Sequence, residues 1–294
     1  DKQTGKGQQA YTIRAINEVT PILKLPDPSD FSTTDTHKID LILKQLSDLG
    51  QKFEPITDLI LDLKNKPVSD ETIEKCFKTF QRQDLDAIQE HYSSRLSYWD
   101  LLHKDTKKEI GLAEALIRTY QEDAPVLSIQ LLFKSLEREA VDRVLRPFQR
   151  TICTGVRSLV ATIDLDERTK HNQELFIKWI EGLNPDPTLG QIVWYLRIGL
   201  RESLPSTSTL FSTFGRYLKT YPNVSIFMKI LESDKHFPGR KLTLVDLRNN
   251  VVHPKKIDLS DLDTYKLTAQ LILFADNALM KILCSLEYHQ LDTF

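Results

Sequence analysis

Glycine is scarce in this chain, at 10 of 294 residues, and runs that alternate apolar with polar are few. Little room is left for β-sheet. Cysteine is scarcer still: Cys76, Cys153 and Cys284 are odd in number and widely spaced. A disulfide framework is therefore not expected, the set fits a reducing cytoplasm, and each thiol is expected to be a buried small apolar group. An excess of either charge is missing as well. A net charge of -2 provides no global attraction to nucleic acid, so RNA contact would need a local basic patch. No run approaches the roughly 18 consecutive apolar residues of a membrane span, and "DKQTGKGQQA" has no apolar core of a signal peptide, so no membrane association is expected. The chain begins at Asp1 rather than methionine, which raises the expectation of a longer parent protein with a further N-terminal domain.

Familiar chemical signatures are also absent. The chain holds no GxxxxGK[ST], GxGxxG, HExxH, CxxC or GxSxG pattern. Its seven histidines are scattered, and neither a metal nor a cofactor is expected.

What the sequence does have is helical periodicity. Residues 1–35, with "LPDPSDFSTTDT", read as a linker or extended arm. Residues 36–103 read as a helical N-terminal region. Ile39, Ile42, Leu46, Leu49, Phe53, Ile56, Ile60 and Leu63 form a coiled-coil-like seam there, which Pro55 should kink. Helices are expected after "VSDETIEKCF", from Asp84 to about Leu102, and after an Asp105 cap. Pro125 should open the strongest helix of the first half, with Val126, Ile129, Leu132, Phe133, Leu136, Ala140, Val144 and Leu145 inward. Glu137, Arg138, Asp142 and Arg143 should form its solvated face with i,i+4 pairing. "QIVWYLRIGL" should be central, and Leu210–Leu218 and Ile226–Leu231 shorter helices. "ESDKHFPGRK" reads as a loop. A helix begins near Lys241, and a last long one from Asp258 buries Leu262, Tyr265, Leu271, Phe274, Ala278, Ile282 and Leu286. The expected fold class is all-α, with residues 104–294 as one helical domain. Trp99, Trp179 and Trp194 should be core, and His37 and His103 helix-start residues. Arg146, Arg150 and Arg157 are close enough in sequence to form a basic patch.

One stretch suggests chemistry: "LRNNVVHP", Leu247 to Pro254. Arg-x-x-x-x-His alone arises by chance roughly 0.4 times in such a chain, and roughly 0.02 times with asparagine after the arginine. Pro254 disfavours helical geometry at His253, so the histidine ends the helix. Five positions give about 7.5 Å of rise and about 140° of rotation, so Arg248 and His253 flank a helix end rather than stack. An alternative is purely structural: Arg248 pairs with Asp246 or another carboxylate, and His253 bonds the last helical carbonyls.

"LRNNVVHP", followed by a long closing helix, resembles the Arg-polar-x-x-x-His signature of the HEPN superfamily. That resemblance implies an α-helical bundle and, in many members, a metal-independent endoribonuclease whose two copies face one shared cleft. The matched positions are Arg248, Asn249 and His253. One departure is Lys255, where toxin members often carry tyrosine. On this reading Arg248 stabilises the developing phosphorane, His253 transfers protons near neutral pH, and Asn249 positions them. Lys255 and Lys256 would contact flanking RNA phosphates. The expected partners are RNA and a second copy of the chain. The rival expectation is a non-catalytic helical protein-interaction or RNA-binding module of a larger protein.

Overall fold

The computed structural model describes residues 82–120, 124–152, 167–200, 209–221, 223–252 and 261–286, together with Glu71, Glu74, Phe80 and Val156. The chain divides into two compact units, Asp1–Leu61 and Asp62–Phe294, and every described residue belongs to the second. The arm over 1–35, the seam from Ile39 to Leu63, His37, Cys76 and Cys153 lie outside the described residues.

The fold is all-α. Of the described residues, 78% are helical, so the small β element cannot set the architecture. In chain order the helices are α1 (Arg82–Arg95), α2 (Lys104–Tyr120), α3 (Pro125–Ala140) and α4 (Arg146–Ile152). They continue with α5 (Glu167–Ile180), α6 (Leu189–Leu200), α7 (Thr209–Leu218), α8 (Val224–Glu232), α9 (Leu244–Val252), α10 (Leu262–Ala269) and α11 (Leu279–Cys284). Helix α3 is the axis of the bundle: α2, α6, α9, α10 and α11 all pack on it. Its apolar stripe explains this, since Ile129, Leu132, Leu136 and Ala140 are fully enclosed. Burying each large side chain contributes about 1.5–3 kcal/mol relative to exposure.

Two turns of π-helix interrupt the regular geometry, at Val141–Leu145 and Gln270–Phe274. The first lies just before Pro147, which lacks the N–H for an α-helical bond and crowds the carbonyl four residues back. Widening the turn relieves that crowding. Carbonyls within both wide turns are taken by tyrosine hydroxyls: Tyr217 donates to Val144 O at 2.7 Å, and Tyr98 donates to Leu273 O. The second turn also shifts the inward face by one position. Ile272 and Leu273 are buried in place of the expected Leu271 and Phe274, which are only half-buried.

Several expectations change in detail. The helix expected over Asp84–Leu102 stops at Arg95 and resumes as a 3-10 turn, Trp99–Leu101, which lets Trp99 stack on Tyr92 at 5.3 Å. The first turn of α2 is capped by His103, whose Nδ1 accepts from the Asp105 amide at 3.2 Å, rather than by Asp105. The polar loop around "KHFPGRK" is a hairpin of β1 (Lys235–Phe237) and β2 (Arg240–Leu242), with Phe237 buried. Gly239, at φ 73°, supplies the left-handed residue that a type II turn needs after Pro238. Trp99 and Trp179 are core, whereas Trp194 is half-buried against Phe211.

The segment Leu262–Cys284 reaches a mean hydropathy of 1.4, enough by length and composition to cross a membrane. A non-helical stretch between Phe274 and Leu279 divides it, and half of it is buried within the bundle.

Candidate functional site

Helix α9 carries the Arg-Asn motif, and its first turn is built by local hydrogen bonds. Thr243 Oγ1 accepts from the Asp246 amide at 3.0 Å and donates to Asp246 Oδ2 at 2.6 Å. Asp246 Oδ2 also accepts from the Thr243 amide at 3.3 Å. This reciprocal cap starts the helix at Leu244, three residues later than Lys241. The buried face is Leu244, Leu247 and Val251. That spacing of three and four turns α9 onto α3, α6 and α8.

Arg248 borders this buried face, with 13% of its side chain exposed. Its Nε donates to Glu137 Oε1 on α3 at 2.9 Å, so the partner is a carboxylate 111 residues away and not Asp246. The same Glu137 oxygen accepts from the Leu189 amide at 2.7 Å, at the start of α6. One carboxylate thus joins α3, α6 and α9. The terminal nitrogens of Arg248 make no hydrogen bond among the described residues, so four of its five N–H groups keep their donor capacity. Asn249, one position on, is exposed. Asn250 is half-buried and donates to its own helix at Asp246 O, 2.8 Å.

The far end of α9 is also tied to α3. Gln130 Nε2 donates to Val251 O at 3.1 Å, a buried bond that satisfies a carbonyl of the last helical turn. His253 follows α9 directly. His253, Lys255 and Lys256 lie outside the described residues, as does Arg157. The structure therefore joins Arg248 to Glu137 and places Asn249 beside it on the surface.

Sequence reading missed Glu137 and Gln130 as partners. A solvated face was expected for Glu137, Arg138, Asp142 and Arg143, and only part of it holds. Arg143 does pair with Glu139 at 2.7 Å, and Arg146 with Asp142 at 2.6 Å, both at i,i+4. Glu137 and Arg138 instead reach other helices, Arg138 Nη2 binding the buried Glu109 at 2.6 Å. A signal was present: Val126, Gln130, Phe133, Glu137 and Val141 follow the four-three spacing of a single helix face. Two polar residues interrupting an inward face should have been read as partners for another helix.

A second polar site lies on the rod formed by α3, the first π-turn and α4. His103, Arg138, Asp142, Arg146, Arg150 and Asp186 line a cleft of about 550 Å³. Arg146 is held from two sides, by Asp142 and by Asp186 at 2.7 Å. Among the described residues no group of three or more His, Cys, Asp or Glu could hold a metal ion. Comparison with protein-family models, with curated proteins and with solved structures gives no match.

Proposed function

We propose that the chain is a metal-independent endoribonuclease of the HEPN type that works as a homodimer, in stress response or defence against phage. The observation that carries this reading is the state of Arg248. Glu137 fixes the guanidinium through Nε, and among the described residues nothing takes its forked terminal nitrogens, which face the phosphate in this reading, five residues before the histidine that follows α9. Preorganised positive charge of this kind is what a developing phosphorane requires. In the proposed reaction His253 takes the proton of a ribose 2′-OH, whose oxygen bonds to the adjacent phosphorus. The bond from phosphorus to the 5′-oxygen breaks, and the leaving oxygen receives a proton from a second His253 across the dimer. The products are a 2′,3′-cyclic phosphate and a 5′-hydroxyl. Asn249 contacts the scissile phosphate from the surface of α9, and Lys255 and Lys256 neutralise flanking phosphates.

A non-catalytic helical interaction or RNA-binding module is the second reading, favoured by the same bond seen as a plain tie between α3 and α9. The two separate on paired assays of Arg248→Ala and His253→Ala. The nuclease reading expects both variants to melt cooperatively and neither to cut RNA. Unfolding of both, with weak or no cutting by wild type, would favour the second.

A further inference from the structure

The cleft beside α4 is not used by the reaction proposed above, and every described residue that lines it carries an ionisable side chain. Besides His103, the lining residues are three arginines and two aspartates. Its volume of about 550 Å³ exceeds the need of a single small anion and falls within the usual range for ligand sites.

Three arginines line the cleft, Arg138 on α3 and Arg146 and Arg150 on α4. Arg138 and Arg150, twelve positions apart, bracket about 18 Å of helix rise, with Arg146 between them. Arg138 and Arg146 are oriented by carboxylates. Glu109, 2% exposed, holds Arg138 from below, and Asp142 and Asp186 grip Arg146 from both sides. Asp186 is itself positioned, accepting from Trp179 Nε1 at 3.1 Å. Arg146 spends two of its five N–H groups on these carboxylates. At the end of the cleft nearest α2, His103 Nδ1 accepts from the Asp105 amide, which puts the proton of the neutral ring on Nε2 as a donor.

We infer that this cleft binds an oligophosphate chain, two or three linked phosphates, read by arginines without a bridging metal ion. The carboxylates set the selectivity. Asp142 and Asp186 compete with an anion for Arg146, so one phosphate that meets a single guanidinium is held poorly. A chain bearing several negative charges meets three guanidiniums at once and outcompetes them. The inference stands independently of the nuclease reading, since among the described residues neither Arg248 nor Asn249 lines the cleft.

The test is calorimetric titration of the full 294-residue chain in EDTA with inorganic phosphate, tripolyphosphate, ATP and a 5′-hydroxyl oligoribonucleotide. Wild type is compared with Arg150→Gln, Arg146→Gln and the distant Lys229→Gln, after thermal melts show which variants fold. Tripolyphosphate should bind saturably and at least tenfold more tightly than inorganic phosphate. Arg150→Gln, an exposed substitution, should weaken it at least tenfold, and Lys229→Gln should leave it unchanged. Equal affinity for ATP and tripolyphosphate identifies a free phosphate chain as sufficient, and tighter ATP identifies a nucleotide as the source. Absence of saturable binding, binding indifferent to Arg150→Gln, or binding of the 5′-hydroxyl oligonucleotide alone would overturn the inference.

Discussion

At the scale of single residues, the account turns on the carboxylate of Glu137, which accepts from both Arg248 and the Leu189 amide. Glu137→Gln keeps the shape but removes the charge that holds the guanidinium. Charge-assisted hydrogen bonds contribute about 1.5–3 kcal/mol, so the variant should melt lower but remain folded. Its RNA cleavage should slow by roughly 10- to 100-fold through kcat, because a misplaced electrostatic stabiliser acts mainly on the transition state. Unchanged cleavage in a folded variant would reduce Glu137 to a structural tie. Glu109 gives a prediction about pH. Burial raises its pKa from the ordinary 4.5, outweighing the Arg138, Lys134 and Ser135 contributions that lower it. A carboxyl with a raised folded pKa favours the fold while protonated and loses that contribution as pH rises through the folded value. Relative to Glu109→Gln, wild type should therefore lose melting temperature as pH rises above the ordinary 4.5 through the raised folded value. A difference between the two proteins that stays flat with pH would contradict the assignment. Burial likewise pushes the Cys284 thiol up to about 11 and the Tyr195 hydroxyl up to about 12, so neither ionises near neutral pH.

At the scale of elements, close helix contact decides more than propensity does. Helices α6 and α7 cross so tightly that a Cβ on Gly215 would collide with the carbonyl oxygen of Gly199. A Cβ on Gly199 would sit 2.8 Å from Leu218 Cδ1. Overpacking of this kind costs typically 1–3 kcal/mol, and backbone oxygen yields less readily than a side chain. Gly215→Ala should therefore destabilise the bundle by about 3 kcal/mol in chemical denaturation. A loss below about 0.5 kcal/mol, the range of ordinary surface substitutions, would show that the helices can separate freely. The helices themselves were legible in the sequence, because stripes such as Ile129–Leu132–Leu136–Ala140 repeat at helical spacing. What was not legible depends on contacts between distant segments. The π-turn before Pro147 is matched by Tyr217, 73 residues from the carbonyl it satisfies. The hairpin at Lys235–Leu242 looked like a loop because its strands are three residues each and charged, with Phe237 as its sole fully buried side chain. Of the candidate site, the position of Arg248 at a helix flank was readable, and the place of Glu137 on an inward face marked it as a partner for another helix, but nothing local named Arg248, 111 positions away, as that partner.

At the scale of the whole molecule, the described part is an α-helical bundle around α3, with a motif-bearing helix pinned to that axis at two points, Gln130–Val251 and Glu137–Arg248. If two such motifs face one cleft, activity should require association. Sedimentation of the purified chain should give a dimer at the concentrations where RNA is cut, and diluting below that range should reduce specific activity. A strictly monomeric chain with full activity would contradict the shared site. The most direct test of the central claim is cleavage of a labelled mixed-sequence RNA in EDTA by wild type and by His253→Ala, with chemical analysis of the product ends. The account predicts cutting by wild type alone, leaving 2′,3′-cyclic phosphates. Equal cutting by a folded His253→Ala protein, or loss of all cutting in EDTA that magnesium restores, would contradict it.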